Sequence, residues 1–119
     1  MTTAAHRTGQ AAEDEALAHL QRAGLRLRAR NFRIRRGEID LIMADRDEIV
    51  FVEVRARRRS GFGDGIDSIT PAKRQRLIAA AKAWLQRQPD EPPVRFDVIA
   101  LSADIREVEW VRDAFRADE

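Results

Sequence analysis

The chain has 119 residues, 44% of them hydrophobic, which is the length of one domain with an apolar share near the ordinary globular range. It has no cysteine and two well-separated histidines, His6 and His19; this excludes a disulfide framework, a thiol nucleophile and a cysteine-ligated zinc, so any metal must be held by oxygen. The longest apolar run, Leu77 to Ala81, is far short of the roughly 20 residues that cross a bilayer, and MTTAAHRTGQ lacks an apolar signal core, so a cytoplasmic protein without membrane contact is expected.

Charged residues make up 35% of the chain, yet the net charge is only +2. The charges are unevenly spread: Arg22 to Arg76 carries 15 cations against 8 anions, and Gln88 to Glu119 carries 4 against 9. Of the 22 cations 20 are arginine, whose planar fork suits phosphate, although a GC-rich genome produces the same bias.

Residues 1–8 read as a flexible N-terminus and 9–119 as the domain. A helix is predicted from Gly9 to Ala23, closed by Gly24, with Ala12, Ala16, Leu17 and Leu20 facing inward. Glu13 stands in line with that apolar stripe and not with solvated Asp14; an acid helped by the helix N-terminal dipole is the plain alternative. Three strands follow, Leu25 to Ile34, Glu38 to Ala44 and Glu48 to Arg57, with turns at Arg35-Arg36-Gly37 and Asp45-Arg46-Asp47. Arg58 to Ile69, with Gly61, Gly63 and Gly65, reads as a mobile basic loop. Thr70 then caps a second helix that has Pro71 in its first position, buries Leu77, Ile78, Ala81, Trp84 and Leu85, and ends near Pro89. Strands Val94 to Leu101 and Ile105 to Val111 complete the order.

Strand alternation puts Glu38, Asp40 and Ile42 on one face of the second strand and Phe51, Glu53 and Arg55 on one face of the third. If Arg46 and Asp47 form a two-residue turn, Asp45 pairs with Glu48, and the same register sets Asp40 opposite Glu53 and Glu38 opposite Arg55. Facing carboxylates repel, and burial within Ile49 to Val54 sharpens the repulsion unless a cation sits between them. A divalent ion is the natural candidate, since Mg²⁺ is commonly held by one or two carboxylates with water and a phosphate. The plain alternative is a solvated sheet face whose acids pair with Arg55 and Arg57.

The motifs RGEIDLI (Arg36 to Ile42), FVEVRAR (Phe51 to Arg57), ITPAKRQRL (Ile69 to Leu77) and RFDVIAL (Arg95 to Leu101) resemble, in combination, the YraN family of uncharacterised bacterial proteins. The resemblance implies an α/β, restriction-endonuclease-like single domain, a mixed central sheet flanked by two helices in the order α-β-β-β-α-β-β, similar to archaeal Holliday junction resolvases. It implies a nuclease signature in which Asp40 matches the Asp, Glu53 the Glu, Arg55 the usual Lys and Glu13 the acid of the first helix, although Ala12 replaces the usual preceding Gly. It also implies that Asp40, Glu53 and the backbone carbonyl of Val54 hold Mg²⁺ or Mn²⁺. Arginine at position 55 departs from the pattern: it can neutralise charge on a phosphate but cannot act as a base.

Lys73, Arg74 and Arg76 crowd the start of the second helix, where the dipole disfavours cations. With Arg57, Arg58 and Arg59 they would grip phosphates, the plain alternative being a solvated basic face. The expected function is Mg²⁺-dependent hydrolysis of phosphodiester bonds in nucleic acid, DNA rather than RNA and branched or structured. A non-catalytic structure-selective nucleic-acid-binding module is the alternative, and an adaptor contacting basic partners through the acidic C-terminal segment is a third reading. The resolvase resemblance makes a homodimer an expected partner state.

Overall fold

The computed structural model describes residues 4–56, 69–102 and 107–117, with side chains from residue 9 onward. The glycine-rich loop, and Arg57, Arg58 and Arg59 with it, lie outside the described residues. The elements are α1 (Ala4–Arg22), β1 (Arg26–Ile34), β2 (Gly37–Asp45), β3 (Glu48–Ala56), α2 (Pro71–Gln86), β4 (Val94–Leu101) and β5 (Val108–Phe115). This is the α-β-β-β-α-β-β order read from the sequence, with several boundaries moved. Helix α1 starts at Ala4, so part of the segment read as a loose terminus is helical, and α2 stops at Gln86, before Pro89.

The strands form one five-stranded sheet in the order β1-β2-β3-β4-β5. Neighbours are antiparallel except β3 and β4, which run parallel from Ile49↔Val94 to Ala56↔Leu101 with α2 in the crossover between them. A parallel central pair must be covered on both faces, and the runs IVFV in β3 and VIAL in β4 are buried accordingly. Helix α2 covers one face, where Leu77, Ile78, Ala81 and Trp84 pack with Ile42, Phe51, Phe96 and Phe115. Helix α1 covers the other, where Ala12, Ala16 and Leu20 pack with Leu41, Val50, Val52 and Ile99. Phe51 is the pivot of the α2 layer, edge-on to Trp84 at 6.0 Å and tilted against Phe96 at 5.4 Å.

Local chemistry sets the helix ends. Gly24, at φ 99°, takes the left-handed turn after α1. Thr70 caps α2 through its side-chain oxygen, which accepts the Lys73 N–H at 3.1 Å, and Pro71 follows at the first helical position.

The last strand departs most from the reading of Ile105 to Val111: it runs Val108–Phe115, past Val111, while Ile105 and Arg106 lie outside the described residues. Asp113 sits at φ 52° and donates its N–H to Asp97 Oδ1 at 2.9 Å, and the β4/β5 register shifts between Phe96 and Val98. A left-handed residue inside a charged strand hides the period-two pattern.

One glycine decides how α2 sits on the sheet. Gly37, the buried first residue of β2, lies so close to α2 that a Cβ there would stand 2.0 Å from the Arg76 carbonyl oxygen. The sequence marks Gly37 as a turn residue, but its larger role is to let the first turns of α2 press onto the start of β2.

Candidate active site

The β2–β3 hairpin builds the site. Its pairing runs Asp45↔Glu48 to Leu41↔Val52, the register expected from a two-residue turn. Arg46 takes φ 59° at the first turn position, the left-handed value that primed hairpin turns use. Backbone pairing stops at Leu41, and the next opposed positions are Asp40 and Glu53. There the Asp40 Oδ2 accepts the Val54 N–H at 2.8 Å in place of a backbone carbonyl. The sheet therefore opens at these two acids.

Strict alternation fails at the same place. Ile39 and Ile42 both join the α2-side cluster while Leu41 and Met43 join the α1-side cluster, so Asp40 does not share a face with Ile42 as the sequence pattern suggested. Asp40 instead lines a cleft of about 330 Å³ between α1 and the sheet, together with Glu13, Asn31, Arg33, Glu38 and Val54. Glu53 follows Phe51 toward the α2 side, where it lines a second, smaller cavity of about 90 Å³ with Glu38, Lys73, Arg76 and Leu77.

The carboxyl groups of Asp40 and Glu53 lie within interaction range of each other across this opening. Burial, then the hydrogen bond and negative charge of Glu53, push Asp40 up to about 8 from an ordinary 3.8; Glu13 adds to the rise and the Val54 N–H opposes it. Glu53 is 6% exposed. Its Oε2 accepts no hydrogen bond of normal geometry, but the Lys73 ammonium stands 2.7 Å away.

Glu13 faces inward as expected, its side chain 15% exposed, and is held by Arg30 Nε at 2.9 Å, while Arg30 also bonds Asp14. Arg55 is half-buried beside Ala100 of β4. The expected Glu38–Arg55 pairing is corrected: Glu38 pairs with Arg33 on β1 at 2.9 Å, its opposed residue in that register. Of the basic residues assigned to phosphate, Arg76 lies exposed at the rim of the smaller cavity and Lys73 is engaged with Glu53. Arg74 turns elsewhere, over the Phe115 ring at 5.8 Å. The structure thus places Glu13, Asp40 and Val54 at the α1-side cleft and Glu53, Lys73 and Arg76 at the smaller α2-side cavity, with Glu38 at the rim of both, and leaves Arg74 out of them.

Sequence reasoning missed Glu38 at the rim of both cavities, Arg30 as the clamp on Glu13, and Lys73 as the partner of Glu53. The signal for Lys73 was present: a cation in the first turn of a helix, against the dipole.

Among the described residues, no group of three or more His, Asp or Glu gathers as a ready metal cage. The donor set is the Asp40–Glu53 pair, with its buried and under-served Oε2. Two carboxylate oxygens fit a hard divalent ion that keeps several waters, the habit of Mg²⁺. Among the described residues, no helix is long and apolar enough to cross a membrane.

The profile of the uncharacterised protein family UPF0102 matches residues 12–101. A UPF0102 protein of Nitrosococcus oceani is 52% identical over 123 aligned residues, covering 99% of each chain. One of Halorhodospira halophila is 56% identical over 110, covering 92% of this chain and 88% of its own. A third, from Janthinobacterium sp. strain Marseille, is 51% identical over 115, covering 97% and 92%. The matched span contains all four acids of the cleft and its rim, Glu13, Glu38, Asp40 and Glu53.

Proposed function

The chain belongs to the uncharacterised protein family UPF0102, and from that premise we propose that it is a divalent-ion-dependent phosphodiesterase acting on nucleic acid, DNA rather than RNA. The observation that carries the reading is the meeting of Asp40 and Glu53 at the open end of the β2–β3 hairpin, two buried acids whose ionised forms oppose each other unless a proton or a cation lies between them. The Val54 N–H on Asp40 and the Lys73 ammonium on Glu53 leave further carboxylate oxygens to a cation, which a divalent-ion site requires. The mixed sheet with a helix on each face supports the restriction-endonuclease-like kinship read from the motifs.

In this reading Asp40 and Glu53 hold Mg²⁺ or Mn²⁺, with Val54 contributing its carbonyl. When bound, the ion supplies Lewis-acid polarisation of the phosphate and a more acidic water. The chain's own groups do the rest. Glu13, fixed by Arg30, faces Asp40 across the cleft and orients the attacking water. Arg55 offsets negative charge that grows on the phosphate. Arg76, with Arg57, Arg58 and Arg59, grips neighbouring phosphates and sets the strand's position without reading bases.

Incubating the protein with four-way-junction, flap, single-stranded and duplex DNA, and with RNA, in Mg²⁺, Mn²⁺ or EDTA tests this. Metal-dependent cleavage that disappears in Asp40→Asn is expected. Binding without cleavage of any substrate would replace the hydrolase by the non-catalytic structure-selective module. Gel filtration with light scattering tests the homodimer that the resolvase kinship suggests.

A further inference from the structure

We propose that Lys73 supplies the ammonium of this site, holding Glu53 in place and donating to a non-bridging oxygen of the reacting phosphate; the proposal rests on the hydrolase reading above. Arg55 was the cation that the linear pattern offered. The fold offers a better placed one from another element.

Four observations carry the assignment. Lys73 Nζ is 2.7 Å from Glu53 Oε2, a buried oxygen that no protein hydrogen bond serves. The Lys73 side chain is 46% exposed against 7% for Glu53, so the ammonium joins the buried acid to solvent. Beside it lies the cavity of about 90 Å³ that Glu38, Arg76 and Leu77 complete, room for a water or a phosphate oxygen next to Nζ. Finally, Lys73 occupies the first turn of α2, where its N–H bonds the Thr70 cap and the dipole works against a cation. The contact with Glu53 is what offsets that penalty, and Gly37 sets the helix close enough for it to form.

The chemistry favours lysine at this spot. An ammonium is a compact charge with three donors; one directed at Glu53 leaves two for the phosphate and its attacking water. A guanidinium is planar and wider, and its fork would demand two acceptors in one plane.

The test compares Lys73→Met and Lys73→Arg with wild type, and uses Lys82→Met, an exposed lysine on the opposite face of α2, as a control. Mn²⁺ binding is measured by calorimetry, and cleavage of the best DNA substrate as separate kcat and KM. Lys73→Met removes a positive charge beside a metal-ligating oxygen, so Mn²⁺ should bind about three- to tenfold more tightly. Its kcat should fall about 100-fold or more with KM changed far less, as for loss of one preorganised donor. Lys73→Arg should keep wild-type Mn²⁺ affinity but not restore kcat, and Lys82→Met should match wild type throughout.

Full rescue by arginine, or a change confined to KM, would make Lys73 a plain ion-pair or docking residue and overturn the proposal with the hydrolase reading intact. A wild type that binds no Mn²⁺ and cuts nothing would remove the hydrolase reading and this proposal together. If wild type binds Mn²⁺ but cuts no substrate offered, the calorimetry decides: unchanged affinity in Lys73→Met overturns the proposal and tighter binding supports it. Both variants are checked by melting, and Lys73→Arg preserves the charge that compensates Glu53 should the methionine variant fold poorly.

Discussion

Two buried acidic centres lie in the same sheet and are treated in opposite ways. Asp97, 1% exposed on β4, is surrounded by donors: Arg95 Nε at 3.0 Å, Trp110 Nε1 at 2.9 Å and the Asp113 N–H at 2.9 Å. Arg95 in turn reaches Asp45 and Glu48 at the turn end of the β2–β3 hairpin, at 3.0 and 2.8 Å. At the other end of the same hairpin Asp40 faces a second carboxylate and receives one backbone N–H. A satisfied acid ties strands together, whereas an acid opposed to its like is a position that folding alone would not select. Under the proposed function the contrast is that between a structural carboxylate and a ligand-seeking one.

The largest expected effect is at the satisfied centre. Asp97→Ala strips the acceptor from three donors and leaves the Arg95 guanidinium, whose side chain is 12% exposed, short of its main partner. Breaking such a buried pair costs about 3 to 5 kcal/mol. Urea denaturation should show a loss of that order, and a loss below about 1 kcal/mol would mean that the two centres do not differ in kind.

The opposed centre should behave in the reverse sense with pH. With Asp40 at about 8 when folded and an ordinary 3.8 otherwise, the folded state keeps a proton that the unfolded chain releases between these values. Stability of the metal-free protein should therefore fall as pH rises from about 4 to about 8, by at most about 1.4 kcal/mol per pH unit for this one group. Asp40→Asn removes the group from the titration. Its stability should be flatter over this window and exceed that of wild type at the alkaline end. An Asp40→Asn variant that stays less stable than wild type at pH 8 would place Asp40 with Asp97 among the structural acids.

Gly37 joins the comparison because it positions the α2 residues that face Glu53. A methyl group at that position meets backbone, not a flexible side chain, so Gly37→Ala must shift α2 or β2. Overpacking of this kind costs about 1 to 3 kcal/mol. Thermal melts should record the loss, and Mn²⁺ affinity should change with it if Lys73 and Glu53 move apart. An unaltered melting curve would show that the helix can slide without disturbing the site.

The hairpin register was legible because the turn length and two apolar strands leave few ways to pair, and the Thr70-Pro71 start of α2 because capping is local chemistry. The sidedness of Asp40 was not, since alternation slips where pairing ends and no residue type announces it. Lys73 meeting Glu53 was out of reach as well, for it depends on how closely α2 lies on β2. Arg95 and Asp97, two apart in RFDVIAL, carried a faint sign of an ion pair along one strand face. Their partners Asp45, Glu48 and Trp110 come from elements joined only in the fold.

The smallest effect is also the most direct test of what the opposed pair is for. Mg²⁺ at about ten times its dissociation constant should stabilise wild type by about RT ln 11, near 1.4 kcal/mol, which is several degrees in melting temperature for a domain of this size. Asp40→Asn and Glu53→Gln each remove one anionic ligand, so each should lose most of that gain. Arg55→Ala should keep it, because a cation is no ligand and its removal favours a nearby ion. Asp97→Asn should keep whatever gain its weakened fold permits, since Asp97 already spends its oxygens on protein donors. If Mg²⁺ and Mn²⁺ leave wild-type melting unmoved while Asp40→Asn destabilises the metal-free protein by more than about 1 kcal/mol, the opposed acids are structural after all, and their closeness must be explained by a shared proton that stays in place at neutral pH.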